Sequence, residues 1–137
     1  MKEDFVSFEI AKKLKEKGYP QVKKGVLAMY NEYGEWFSLA RNLDKFEYLF
    51  EDFDDKDCVC PSIFQVLKWL REEKKIFIEI ALSPDGYQYI IYTGLYCMAT
   101  SCAYHFTFDG FYRIEDNYIT YEQAAIAGIK YVINNLI

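Results

Sequence analysis

Residues 76 to 94 read IFIEIALSPDGYQYIIYTG, and this stretch restricts the possible folds more than any other in the chain. Successive side chains of a β-strand point to opposite faces. The run 76–83 therefore places Ile76, Ile78, Ile80 and Leu82 on one face, with Phe77, Glu79 and Ala81 on the other. SPDG at 83–86 has proline second and glycine fourth, the preferences of a type I turn. It leads into a second strand, YQYIIYTG, at 87–94. A third β-prone run, AYHFTF at 103–108, groups Tyr104, Phe106 and Phe108 and sets His105 with Thr107 opposite them. Its partner is expected to be either the 87–93 strand or FYRI at 111–114.

Helical signals lie on either side of this β region. In VSFEIAKKLKEKGYP, Ser7 is placed to cap a first helix, Gly18 and Pro20 stop it, and Ile10, Ala11 and Leu14 form a narrow apolar stripe. VLAMYNEYGEWFSLA reads as a hairpin of runs 26–30 and 35–40 around Asn31 and Gly34. PSIFQVLKWLREEKK reads as a helix with Pro61 at its first position, where a missing N–H costs nothing. Ile63, Val66, Leu67 and Leu70 line its inner face, with Phe64 and Trp69 on the flanks. Toward the end of the chain, Thr120 and Gln123 form a capping box, and Tyr121, Ala125, Gly128, Val132 and Leu136 mark a buried face. The small residues at 125 and 128 imply close approach to a sheet. The expected fold class is α+β: a single domain, 1–137, with an antiparallel sheet of about four to six strands and the 61–74 and 120–136 helices packed on one face.

Charge excludes several function classes. The net charge is −5, and residues 44–57, DKFEYLFEDFDDKD, carry seven acids against two lysines, which accounts for the whole imbalance. Leu43, Phe46, Leu49, Phe50 and Phe53 recur there at helical spacing, consistent with a short acid-faced helix or with a loop. Opposed to it, residues 12–24 hold six lysines and one glutamate. An acidic chain with such split patches lacks the basic footprint that a phosphate backbone demands, so duplex nucleic acid is not an expected partner. No apolar run approaches the roughly 20 residues that cross a bilayer, and MKEDF does not open a signal peptide. A cytoplasmic location with reduced thiols is expected.

Three segments, VSFEIAKKLKEKGY, CPSIFQVLKWLREEKKIFIEIA and TYEQAAIAGIKYVINNLI, resemble a group of small hypothetical proteins of gut bacteria and their phages and mobile elements. The block PSIFQVLKWLRE running into I-x-I-E-I is the most specific part, and the resemblance covers about half the chain. That group has no established activity. The resemblance implies a cytoplasmic accessory protein and assigns no residue a role.

Candidate chemistry is sparse. Cys58 and Cys60 with Cys97 and Cys102 supply four thiols, but a C-x-C pair and a C-x4-C pair without knuckle glycines fit a structural zinc site poorly. No C-x-x-C redox motif is present. The cysteines are expected to act as small hydrophobes, with DKDCVCPS a polar loop running into the helix at Pro61. An EF-hand beginning at Asp52 would put Lys56, Asp57 and Ile63 where an oxygen ligand, a glycine and a glutamate are required, so that motif fails. Neither a metal nor a cofactor is expected. His105 is the only histidine. Glu79 and Tyr92 are expected on its side of the sheet, a composition suited to acid–base work or polar ligand binding, but no nucleophile motif accompanies them. No residue is assigned as catalytic. The tyrosines and phenylalanines crowded into 87–112 are too many for one core face, and Tyr89 and Tyr104 are expected to form a contact surface for a protein partner or a second copy. A non-enzymatic interaction or self-associating protein is thus the first expectation. A small-molecule binder or enzyme built on Glu79, Tyr92 and His105 is the second.

Overall fold

The computed structural model describes residues 4–21, 28–38, 55–93, 96–100 and 117–137. They fall into two compact units, Met1–Phe64 and Gln65–Ile137.

In the first unit, helix α1 (Phe8–Glu16) begins where Ser7 Oγ accepts the Ile10 amide at 3.4 Å, and it ends at Gly18 with φ +92°. Ile10, Ala11 and Leu14 are its buried residues, as their spacing predicts. Strands β1 (Ala28–Tyr30) and β2 (Trp36–Ser38) pair antiparallel. Their turn is closed by Asn31, whose Oδ1 accepts the amides of Tyr33 and Glu35 at 3.0 and 2.9 Å. A third strand, β3 (Cys58–Val59), pairs with β1 on the other side, giving the order β2-β1-β3.

This strand corrects the reading of DKDCVCPS as a polar loop. Cys58, Val59 and Cys60 are all buried, because Tyr30 and Met29 recruit the segment into the sheet. Pro61 does not start a helix either. Its carbonyl accepts the Val6 amide at 3.2 Å and Ser62 bridges Phe5, so the backbone stays extended until Ile63. The run 44–54, where a helix or loop is expected, lies outside the described residues.

Helix α2 (Ile63–Glu73) buries Ile63, Val66, Leu67, Trp69 and Leu70 and leaves Phe64 exposed. In the second unit, β4 (Ile76–Ser83), β5 (Gly86–Thr93) and β6 (Tyr96–Thr100) form an antiparallel sheet in the order β4-β5-β6. β4 and β5 are joined by the expected turn, with Ser83 opposite Gly86 and Leu82 opposite Tyr87. Helix α3 (Tyr121–Asn135) is capped by Thr120, whose Oγ1 accepts the Gln123 amide at 3.1 Å, while Gln123 Oε1 accepts the Ile119 amide. α3 lies on the sheet so closely that a Cβ built on Gly128 would stand 2.9 Å from Ile78 Cγ2 and 3.3 Å from Tyr89 Cβ.

The α+β mixture is present with antiparallel sheets, but not as one sheet of four to six strands with the 61–74 and 120–136 helices packed on one face. Among the described residues there are two three-stranded sheets, because the 28–38 hairpin pairs with Cys58–Val59 rather than with the 76–93 strands. The face of β4 that carries Ile76, Ile78 and Ile80 is not covered along its whole length: Leu82 is 72% exposed. α3 meets the sheet mainly along β5, with Tyr121 against Tyr87 and Tyr131 against Tyr89, so the outer end of β4 is left uncovered. Tyr121 is itself half-exposed, and the burial on α3 falls on Ala124, Ala125, Gly128, Ile129, Val132 and Ile133. No helix of the described residues is long and apolar enough to cross a membrane.

Candidate functional site on the β4–β5 sheet

The register of the 76–93 hairpin decides which expected site residues meet. Phe77 lies opposite Tyr92 and Glu79 opposite Ile90, so Phe77, Glu79 and Tyr92 share the face turned away from α3. There the Tyr92 hydroxyl donates to Glu79 Oε2 at 2.9 Å. Arg71, from the last turn of α2, joins them. Together with Ile78 these side chains line a shallow cleft of about 350 Å³. It offers one guanidinium, one carboxylate already engaged by a phenol, and an aromatic ring that is 41% exposed. Such a set can orient a small polar ligand or a side chain by charge and hydrogen bonding.

Tyr89 is elsewhere. It lies on the opposite face beneath α3, is 9% exposed, and has its ring 6.3 Å from that of Tyr118 and 6.4 Å from that of Tyr131. Tyr104 and His105 lie outside the described residues. Arg71 was not singled out from sequence. A basic residue in the last turn of a helix ordinarily reads as a partner of the helix dipole, and only the tight turn into β4 brings it beside Glu79.

The cysteines of the first unit face inward. Cys58 and Cys60 are 2% and 1% exposed, and the Cys60 thiol and the Tyr30 hydroxyl both donate to the Val6 carbonyl, at 3.4 and 2.8 Å. Lys15 Nζ donates to the carbonyls of Asp55 and Asp57, the latter at 2.8 Å, and Gln21 Oε1 accepts the Val59 amide at 2.9 Å. These bonds hold the approach to β3. No cluster of three or more His, Cys, Asp or Glu able to hold a metal occurs among the described residues. Cys97 and Cys102, the other thiols of the zinc alternative, are not among the described side chains.

Burial pushes the Cys58 thiol above its ordinary value, against the opposing pull of Lys15. Burial, followed by the neighbouring Cys60, pushes the Tyr30 phenol up as well. Both groups therefore keep their protons to higher pH in the folded than in the unfolded chain. Where the unfolded state has lost a proton that the folded state retains, stability falls as pH rises. This stabilisation is fully present below the unfolded thiol value of 9.0 and is lost above it, with a second loss above the phenol value of 10.0. Urea midpoints are expected to show no effect of these two groups up to pH 8.5 or so and to decline beyond. Tyr30→Phe should flatten the part of the decline above the phenol value; an unchanged slope in this variant would remove Tyr30 from the account.

No protein-family model matches the chain, and neither a curated protein nor a solved structure matches it.

Proposed function

We propose that this is a non-catalytic interaction protein that associates with itself or with another protein through its second unit. The supporting observation is the apolar surface left open there. Leu82 and Ile119 are 72% and 85% exposed, and Tyr121 is about half so. Leu82 pairs across the hairpin with Tyr87, whose ring stands 6.4 Å from that of Tyr121, so these side chains form one neighbourhood. Contiguous exposed apolar surface marks contact sites, and tyrosine serves them well because its ring buries area while its hydroxyl keeps a polar bond. An accessory role in a mobile-element setting rests on the sequence resemblance alone.

A second possibility has its own observation, the Arg71–Glu79–Tyr92 cleft, which suits a small polar ligand. Native mass spectrometry on protein purified without tag or chelator separates the two. A dimer mass without adduct is the expected result. A monomer carrying a small molecule, lost in Tyr92→Phe, would overturn the interaction proposal in favour of the cleft.

A further inference from the structure

Among the described residues β4 is the terminal strand of its sheet. Seven of its eight residues retain solvent exposure, with only Ile76 buried. Ala81 is among them, and a side chain of one methyl leaves mostly backbone to account for its accessibility. The segment also lacks the usual protection of an edge: from 76 to 83 there is no lysine and no proline, and the one charge, Glu79, is engaged by Tyr92.

The hairpin fixes which backbone groups point outward. The two-residue loop closes on Ser83 opposite Gly86, the position at which such hairpins exchange both hydrogen bonds. The adjoining contact agrees: the amide and carbonyl of Tyr87 bond to Tyr118 at 2.8 and 2.9 Å, away from β4. Tyr87 thus forms no ladder bond with Leu82. Counting along the strand by twos, Phe77, Glu79, Ala81 and Ser83 direct their N–H and C=O groups to β5, and Ile76, Ile78, Ile80 and Leu82 direct theirs outward.

We infer that this outward row pairs with the same row of a second copy, antiparallel and centred on Ile80; the inference rests on the self-association proposed above. A two-fold axis normal to the sheet keeps like faces together only when the pairing is centred on a residue. Of the registers that overlap most of the strand, centring on Glu79 sets two carboxylates directly opposite each other, which is unfavourable. Centring on Ile80 sets Ile80 against Ile80, Ile78 against Leu82 and Glu79 against Ala81. Each of the pairs Ile80–Ile80, Ile78–Leu82 and Leu82–Ile78 exchanges two backbone bonds. The exposed Leu82 is then covered by the partner's Ile78, and the Glu79–Tyr92 bond is undisturbed. The occupant is a second copy because the strand is its own complement in hydrogen bonding and side-chain size, and this register keeps the two Glu79 carboxylates from standing directly opposite each other. The three described strands of each copy join into one continuous sheet.

The test uses the full chain. In Ile80→Cys the two new thiols sit on directly opposed residues, whose Cα separation of about 5.5 Å in a hydrogen-bonded pair is within disulfide reach. Glutathione disulfide should convert this variant to a covalent dimer on a non-reducing gel beyond the level seen with the native thiols. Leu82→Cys should not cross-link, because the two residues 82 stand four strand steps apart, about 13 Å. Ile80→Pro removes the outward N–H without touching the β4–β5 ladder. It should weaken dimerisation roughly thirty-fold in sedimentation equilibrium, the loss of the two central bonds, with an unchanged far-ultraviolet spectrum. If the dimer survives Ile80→Pro and Ile80→Cys does not cross-link, the edge pairing is overturned while self-association stands. A wild-type chain monomeric at about 100 μM overturns both.

Discussion

Gly86→Ala is expected to destabilise the protein by about 3–5 kcal/mol. Gly86 has φ +135°, a conformation that costs a residue with a Cβ of order 1–3 kcal/mol. The added Cβ would also lie 2.7 Å from the carbonyl oxygen of Tyr118. That oxygen belongs to backbone and accepts the Tyr87 amide at 2.8 Å, while the Tyr118 amide bonds back to Tyr87 at 2.9 Å. Relieving the clash means separating the 117–118 segment from β5, with the loss of both bonds at about 1 kcal/mol each. The adjacent bond from Gln88 Nε2 to Asn117 Oδ1, at 3.0 Å, opens with them, leaving Gln88 buried without that partner. Urea denaturation followed by circular dichroism measures the cost. Asp85→Ala, an exposed neighbour, should stay within about 0.5 kcal/mol of wild type. A cost below about 1 kcal/mol for Gly86→Ala would mean that the 118 carbonyl is not held where it stands.

The same hairpin shows why parts of this fold are legible in the sequence. Its turn chemistry is local, so SPDG fixes the register, and the register alone puts Glu79 and Tyr92 on one face and Tyr89 on the other. Helix starts are equally local: Ser7 and Thr120 each bind an amide three residues ahead, and each marks its helix within a residue. What failed was whatever another part of the chain decides. Cys58–Val59 became a strand because β1 offered it a free side, and Pro61 and Ser62 stayed extended because Val6 and Phe5 bonded them. Neither partner is within fifteen residues of the segment it reshapes.

Leu82 and Arg71 illustrate the same limit at the candidate site. Alternation puts Leu82 on one face with Ile76, Ile78 and Ile80, but period two says which face a side chain takes and not whether that face is covered. Coverage depends on where α3 lies, and α3 follows β5. Arg71 reached the cleft through the path of the chain from α2 into β4, where Lys75 takes φ +58°, a conformation its side chain does not announce.

Gly128 is where the position of α3 is decided, and a two-step substitution tests it. Gly128→Ala adds a Cβ that would meet Ile78 Cγ2 at 2.9 Å and the Cβ and Cγ of Tyr89 at 3.3 Å. Ile78 is half-buried on the terminal strand of the described sheet, so its methyl has room to rotate away. Alanine also gains about 1 kcal/mol over glycine inside a helix. The opposed effects leave Gly128→Ala within about 1 kcal/mol of wild type. Gly128→Leu has no such outlet: its branched end must enter the space held by Tyr89, which is clamped between the rings of Tyr118 and Tyr131. A loss of about 3 kcal/mol is expected, with tyrosine fluorescence reporting the loosening of that cluster. Because Ile78 and Leu82 share this face with Tyr89, a shifted α3 also disturbs the side chains that the paired β4 edges bring together. Gly128→Leu should therefore weaken self-association while Gly128→Ala leaves it intact. Equal stability in the two variants would show that α3 is not seated through Gly128.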